Sequence, residues 1–218
     1  MSGFSGSPLV AKGAIVGFDL LNPLASVIVF QYNPDSVTRR LTPNTAPSGH
    51  NPSEQQRLKG PPAESITLAV ELDAADQLER GGPVAQRYGV GPALASLEML
   101  LFPKSATVVV NAALALAGLL EVVPPQAPMT LLVWGERVVP VRITELSITE
   151  DAFDQSLHAI RAKVDLSLQV LTYDELGLPS FGGLLSLANQ LQLEVQATIN
   201  GTTSIGSFVS AVTQSTGG

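Results

Sequence analysis

Regular alternation of apolar and polar residues marks the clearest strands of the chain. Residues 65–72, with the sequence SITLAVEL, alternate cleanly, and residues 161–173, RAKVDLSLQVLTY, alternate in the same way. This pattern of period two is typical of a strand that buries one face. Shorter apolar runs at 14–20 and 26–32 also predict strands, and Asn22-Pro23 supplies a turn between them.

A long hairpin is predicted in the second half of the chain. Residues 129–134, MTLLVW, lead through Gly135-Glu136 into the long run 137–153. Within that run the inward apolar positions change from odd to even numbers near Thr144-Glu145. One inserted residue shifts the parity of a strand in this way, so we predict a β-bulge or bend there. Residues 151–160 are expected to form the loop of the hairpin.

One helix and one long loop are predicted between the strands. Residues 92–102, PALASLEMLLF, carry leucines on one helical stripe, and Pro103 ends the segment. Residues 41–64 are rich in Pro, Ser, Asn and Gly and have no periodic apolar pattern. They predict a long loop, which in a compact domain is usually functional or disordered.

Two further apolar segments change the picture of the surface. Residues 106–120 contain no charged residue, but a bilayer span needs about 20 apolar residues, so we predict a buried helix or loop. Residues 178–218 carry a single charged residue, Glu194, and two helical stripes of apolar residues. Two short helices with so little charge are expected to lie on the core or on a neighbouring subunit.

Composition supports the idea that other chains cover part of this surface. Apolar residues make up 45% of the 218 residues, whereas charged residues make up 14%, against roughly 25% in ordinary globular domains. The net charge of −7 and the scattered basic residues argue against nucleic-acid binding. The absence of cysteine from the sequence excludes disulfides and thiolate metal sites. The first residues do not resemble a secretory signal.

No motif in the sequence predicts catalysis, a cofactor or a metal. His50 and His158 do not stand in a metal-binding spacing, and no nucleophile-elbow, phosphate-loop or dinucleotide-binding motif occurs. Asp73 and Asp76, with Glu71 and Glu79, form an acidic cluster. A cation site or acid–base pair is one interpretation of this cluster, but a solvated turn is the favoured one. The sequence therefore predicts a protein that is not an enzyme.

Four blocks of sequence carry a resemblance to a known family. They are FQYNPDSVTRRL (30–41), RLKGPPAESITLAVELDAADQLE (57–79), LLVWGERVVPVRITELSITEDAFD (131–154) and IRAKVDLSLQVLTYDEL (160–176). In this order they resemble the tube-type proteins of contractile injection systems, which are phage-tail-like particles. Within that family the chain is most similar to the baseplate hub or tube-adaptor component of extracellular systems. The resemblance spans residues 8–176.

The resemblance implies a mainly β fold, a tail-tube-like β-sandwich or barrel with one central helix, a long hairpin and a short helical C-terminal tail. It predicts a tube-like domain over residues 1–176, including the loop 41–64. Residues 177–218 would form the apolar tail, docked on the core or on a neighbour. Some relatives carry a C-terminal LysM module, but this tail lacks the Gly-Asp-Thr pattern of that module.

The function that the resemblance implies is structural and non-enzymatic. Six copies would form a ring that joins the spike to the inner tube in the baseplate. The expected partners are the spike protein, inner-tube subunits and other baseplate components, without nucleic acid, membrane insertion or a cofactor. Assembly would take place in the bacterial cytoplasm, in a particle that is released or retained. The alternatives are a subunit of the stacked inner tube and, more distantly, a small carbohydrate-binding or hydrolase β-domain.

Within this interpretation, residues 33–36, NPDS, form a corner between two strands, because Asn, Pro and Asp favour a turn. Basic residues just after the corner are expected either to pair with acidic groups of an adjacent copy or to be solvated. The acidic residues near the end of the long hairpin either lie in a solvated turn or meet basic groups of a partner. The complete set of interface candidates is Arg39, Arg40, Trp134, Glu150, Asp151, Asp154 and Phe208.

Overall fold

The computed structural model describes residues 11–18, 26–45, 57–103, 105–118 and 128–215. The chain divides into two compact units, Met1–Leu171 and Thr172–Gly218. We predicted a boundary between residues 176 and 177, which is five residues after the observed boundary between Leu171 and Thr172. The two units are described separately below.

The first unit is built on one antiparallel sheet of seven strands, which confirms the mainly β fold. The order across the sheet is β2-β1-β5-β6-β7-β4-β3. The strands are β1 Ala14–Phe18, β2 Ser26–Val29, β3 Val37–Thr42, β4 Ala63–Asp73, β5 Met129–Trp134, β6 Arg137–Phe153 and β7 Ala159–Val170.

Alternation along the strands places one face of the sheet in a single core. In β4 every second residue from Glu64 to Leu72 is buried, and the residues between them are mostly exposed. Ile28 of β2 belongs to the same buried cluster as the inner-face residues of β4 and β7, although β2 is at the far side of the sheet from these two neighbouring strands. The sheet therefore wraps around its core, and the largest fully buried side chains include Phe30, Ile15, Ile66, Leu166 and Leu168.

The long hairpin of β6 and β7 confirms the predicted change of parity. The pairing register shifts between Ile143 and Glu145, where the inserted residue was expected. The predicted loop 151–160 is too long, because β6 continues to Phe153 and β7 begins at Ala159. Asp154 makes the shorter loop possible, since its Oδ1 accepts hydrogen bonds from the N–H groups of Ser156 and His158 at 2.7 and 2.9 Å.

The prediction of a structureless loop over residues 41–64 is partly wrong. Strand β3 reaches Thr42, β4 starts at Ala63, and an isolated bridge joins Thr45 to Leu58. Residues 46–56 lie outside the described part of the chain. The strand pairing escaped sequence analysis because most of β3 is exposed, so its residues show no clear apolar alternation.

The prediction of one central helix is wrong, because the described residues between β4 and β5 already form four helical segments. They are α1 Ala75–Glu79, α2 Pro83–Tyr88, α3 Gly91–Glu98 and α4 Ser105–Leu116. The first two are too short to display a helical period. Helix α3 has Pro92 in its first turn, as predicted, and buries Leu94 and Leu97.

The second unit contains two helices, α5 Tyr173–Leu176 and α6 Phe181–Ser215. A capping box at Thr172 and Glu175 starts the short α5. The two short tail helices that we predicted are one helix of 35 residues. Gly201 lies in the interior of this helix. An interior glycine costs only about 1 kcal/mol relative to alanine, so it need not end a helix. The docking of this tail stays a prediction.

Candidate assembly interface

The NPDS segment is a corner that side-chain hydrogen bonds hold in place. Residues 30–36 connect β2 to β3, so the NPDS segment is the predicted corner between two strands. Asn33 Oδ1 accepts a hydrogen bond from the N–H of Gly13 at 3.0 Å, and Asn33 Nδ2 donates to the carbonyl of Ala11 at 2.9 Å. Gln31 Oε1 accepts from the N–H of Asp73 at 3.0 Å. The corner thus ties the segment before β1 and the end of β4 to the same turn.

A buried carboxylate lies between two arginines on the inner face of the sheet. Glu64 is 7% exposed. Arg39 Nε donates to Glu64 Oε1 at 2.6 Å, and Arg137 Nη2 donates to both carboxylate oxygens at 2.9 and 2.8 Å. Charge-assisted bonds of this kind are about twice as strong as neutral ones. They join β3, β4 and β6, so this ion cluster fixes the curl of the sheet.

A mostly apolar cavity adjoins this ion cluster, and we call it the arginine cavity. Its volume is about 250 Å³. Trp134, half-buried at the end of β5, forms part of the wall, and Gly13 lies so close to its ring that a Cβ would collide. The lining residues are Val37, Arg39, Ile66, Leu132, Trp134, Arg137 and Val139.

At the opposite end of the same strands lies the hairpin tip, residues 150–158. Phe153 is 50% exposed and Leu157 is 80% exposed. Leu157 and Ala152 have φ angles of 64° and 53°, in the left-handed region that side chains with a Cβ rarely adopt. Asp154 holds the turn through its backbone contacts and also pairs with His158 Nδ1 at 3.0 Å.

Hydrogen bonds to carboxylates order the strand ends near the tip. Asp73 Oδ1 accepts from the N–H of Ala75 at 2.7 Å and Oδ2 accepts from Arg161 at 3.0 and 2.8 Å. The Ala75 N–H and the Arg161 guanidinium lower the pKa of Asp73. The pKa of Asp154 is also lowered, first by the N–H of His158. In both cases donors stabilise the ionised carboxylate.

Two strands end the sheet and leave their backbone edges without a neighbour in the described part of the chain. These strands are β2 and β3. Ile28 of β2 is buried, whereas the outward-facing Val27 and Val29 are half-exposed. An edge of this kind, with apolar side chains beside it, is a template for pairing with another chain.

Helix α4 exposes most of its apolar surface, which corrects the prediction of a buried segment. Val108, Val109 and Val110 are half or more exposed, and Leu116 is 90% exposed. Among the side chains of α4 that the structure describes, the less exposed ones are Thr107, Asn111 and Leu114. No helix among the described residues is both long enough and apolar enough to cross a membrane.

The predicted interface candidates fall into different positions. Arg39 pairs within its own chain with Glu64, so its predicted pairing with an adjacent copy is not needed to satisfy its charge. Arg40 lies on the outer face of β3 and is exposed. Glu150 and Asp151 are exposed on β6, whereas Asp154 is partly buried in the turn. The backbone of Phe208 lies in α6, and its side chain is outside the described part.

Sequence reasoning missed Glu64, Arg137, Phe153 and Leu157. A signal for Glu64 was present, because it shares the even-numbered, inward parity of Ile66 and Leu68. A carboxylate at such a position requires a partner. No comparable signal marked Leu157, whose exposure follows from a left-handed backbone.

The remaining polar side chains of the described surface form a cavity lining and local contacts. An open polar cavity of about 450 Å³ beside the NPDS corner includes Asp35, Glu71 and Lys163 in its lining. Three or more metal-ligating side chains do not come together anywhere among the described residues. His158 is engaged with Asp154 and makes an edge contact with the ring of Tyr88. His50 and the side chain of Asp76 lie outside the described part.

Comparison with known proteins leaves the family open. No protein-family model matches this sequence, and no curated protein matches it.

Proposed function

We propose that this chain is a structural, non-enzymatic subunit of a contractile injection system. Six copies form a ring around a central channel, and the ring joins the spike to the inner tube in the baseplate. The four sequence blocks that resemble tube-type proteins support this proposal, because three of them include most of β4, β6 and β7.

The observation that carries the proposal is the exposed apolar surface of β2 and α4. Half-exposed valines lie beside the edge of β2, which has no neighbouring strand among the described residues, and three consecutive valines of α4 are half or more exposed. Burying each half-exposed side chain of this size contributes about 1 kcal/mol. Exposed apolar surface beyond scattered single residues usually marks contacts with other proteins.

A ring provides cover for both edges of the sheet. A heterologous contact joins different surfaces of neighbouring copies, and it closes into a ring when the rotation between copies allows closure. Contact of this type lets β2 of one copy lie near β3 of the next and supplies partners for their unpaired backbone groups. The low charge of the chain, 14%, is consistent with large obligate interfaces, which are more hydrophobic than transient ones.

The apolar second unit favours a hub over a stacked tube subunit. Tube subunits bind copies of themselves on both faces of the ring, and an appended helix of 35 residues obstructs stacking unless it finds its own site. A hub ring occurs once in each particle, so its outer face is available for such an appendage.

Deletion and counting experiments test this proposal. We expect deletion of the gene in the producing bacterium to abolish assembled particles in negative-stain images, and the intact gene to restore them. Quantitative mass spectrometry of purified particles should give six copies of this chain in each particle. Copy numbers of many multiples of six would assign the chain to the inner tube instead. Normal particles in the deletion strain would overturn the proposal.

A further inference from the structure

The hairpin tip and the arginine cavity lie at opposite ends of the same strands. In the pairing of β4 with β7, Asp73 opposite Arg161 marks the tip end, and Glu64 opposite Val170 marks the cavity end. The hairpin tip is thus a projection at one end of the strands, and the arginine cavity is a recess at the other end.

The hairpin tip displays apolar side chains on a firmly held turn. Leu157 adopts a left-handed backbone conformation, which is unfavourable for a branched side chain. Its N–H donates to the carbonyl of Asp154 at 3.1 Å, while the Asp154 carboxylate accepts from Ser156 and His158. Strain that is held in this way commonly occurs at functional positions. Here it projects Leu157 into solvent, close to the half-exposed Phe153.

The arginine cavity has the dimensions and lining to receive one large apolar side chain. Five of its seven lining residues are Val, Ile, Leu or Trp. Its volume of about 250 Å³ equals that of roughly eight water molecules at about 30 Å³ each. An apolar side chain that displaces such water gains the usual free energy of burial.

The charges around the two surfaces are complementary. Within the hairpin tip, Glu150 and Asp151 are exposed. Arg39 and Arg137 line the cavity and share the single carboxylate of Glu64, so this cluster has one excess positive charge, and Arg39 is 36% exposed. Opposite charges at the rim of a contact accelerate association and fix its orientation more than they add affinity.

The tip cannot reach the cavity of its own molecule. Val37 of the cavity pairs with Leu68, which pairs with Leu166 of β7. Leu157 precedes Leu166 by nine residues, which corresponds to about 30 Å along an extended strand. A hairpin tip that occupies the arginine cavity must therefore belong to another molecule.

We propose that the hairpin tip of one copy seats in the arginine cavity of a second copy of this chain, with Leu157 as the inserted side chain. The contact is head-to-tail, because it joins two different surfaces. The inference rests on the proposed function, since it specifies one contact by which copies assemble.

Engineered disulfides test the contact directly, because the natural chain has no cysteine. The full-length double variant Leu157→Cys, Val37→Cys should form crosslinked chains of two or more copies under mild oxidation. A disulfide needs Cα atoms within about 7 Å, so a link within one chain is excluded by the strand length. The matched control replaces Val37→Cys by Thr38→Cys, because Thr38 is adjacent on β3 but faces the opposite side of the sheet.

A second variant separates loss of contact from loss of fold. Leu157→Asn suits the left-handed backbone, since asparagine adopts that region more readily than leucine, and it removes the apolar side chain. We expect unchanged or slightly increased thermal stability of the isolated chain, together with at least a roughly tenfold weaker self-association in sedimentation velocity. Unchanged self-association would overturn the inference.

A charge reversal tests the orientation of the contact. Glu150→Lys should weaken self-association about tenfold, since the new cation then meets Arg39, which is 36% exposed at the cavity. Arg40→Glu is the matched control, because Arg40 is exposed on the outer face of β3, and it should change self-association less than about twofold. Equal losses for the two variants would contradict the proposed orientation.

The outcomes distinguish this inference from the proposed function. Suppose that six-membered rings form but the Leu157→Cys, Val37→Cys variant gives no crosslinks, or gives no more than the Thr38→Cys control. That result would overturn the inference and leave the proposed function standing. A chain that stays monomeric even with co-expressed baseplate partners would overturn both. Specific crosslinks in chains that build no particle would support the contact and contradict the proposed function.

Discussion

The two ends of the β4–β7–β6 strands use the same chemical group in opposite ways. At the cavity end, Glu64 is buried between Arg39 and Arg137, and three strands are joined through one carboxylate. At the tip end, Asp73 and Asp154 accept backbone N–H groups as well as side-chain donors, and their side-chain partners Arg161 and His158 are about half-exposed. Each end thus places carboxylates beside basic side chains, but in different surroundings.

The difference shows how burial decides what an ion pair contributes. A buried carboxylate that loses its partners is left without solvent, so its contacts are required for folding. A partly exposed carboxylate can return to water at lower cost, so it orders a turn without holding the domain together. The cavity end is therefore the structural anchor, whereas the tip end is a shaped and strained projection.

The largest effect is expected at the buried carboxylate. Glu64→Ala leaves two arginines around an empty position and should lower the free energy of unfolding by about 3 kcal/mol. The value is at the lower end for buried pairs because Arg39 remains partly exposed. Urea denaturation followed by circular dichroism measures it.

The matched control is Glu71→Ala on the same strand. Glu71 lies on the outer face, where it pairs in register with Lys163. Its loss should change stability by less than about 0.5 kcal/mol. Equal losses for the two variants would show that burial does not separate the inner from the outer carboxylate.

An intermediate effect is expected where helices meet the tip end. Gly89 has a φ of 57°, and a Cβ there would collide with the carbonyl of Ala159. That carbonyl also accepts the N–H of Val90 at 2.9 Å. Gly89→Ala should therefore cost about 2 kcal/mol, from backbone strain and displacement of β7. Thermal unfolding of the variant measures this cost.

Gly91→Ala provides the comparison for Gly89→Ala. Gly91 begins α3, and no atom lies within 4 Å of a Cβ built there. Alanine favours a helix over glycine by up to about 1 kcal/mol, so this variant should be neutral or more stable. A loss as large as that of Gly89→Ala would contradict the packing described for this junction.

The smallest effect is expected from the partly exposed carboxylates and depends on pH. The pKa of Asp73 is lowered in the folded chain, so its contribution is present above its unfolded pKa of about 3.9. The contribution is lost as the pH falls through the lower, folded pKa. We expect stability to fall below about pH 4, and Asp73→Asn to flatten part of this decrease while its amide oxygen still accepts from Ala75. Urea midpoints at about pH 7 and at a series of pH values below about 4 test this; an unchanged acid limb would contradict the role of the charge.

Sequence reasoning identified the strands whose two faces differ most. The alternation of β4 reflects one buried and one solvated face, and the bulge at Ile143–Glu145 left a change of parity in the sequence. Local patterns of this kind follow directly from the period of a strand. The exposed β3, by contrast, has no such difference between its faces, and the predicted loop 41–64 wrongly includes its last two residues.

The remaining features depend on contacts between distant residues or on backbone conformation. Arg137 and Glu64 are 73 residues apart in sequence, and only the curl of the sheet brings them together. The exposure of α4 could not be predicted, because an apolar segment looks the same whether its own chain or another chain covers it. The left-handed Leu157 is equally invisible, since leucine does not favour that conformation.

The mass of the purified, full-length assembly tests the central claim most directly, namely that other copies of the chain cover its apolar surfaces. Native mass spectrometry of protein co-expressed with its baseplate partners should show a species of six chains, about 137 kDa from six times 22.8 kDa. That species should lose subunits when Leu157→Asn is introduced. A species of 22.8 kDa at every concentration, with its apolar surfaces open to water and no larger complex, would contradict the claim.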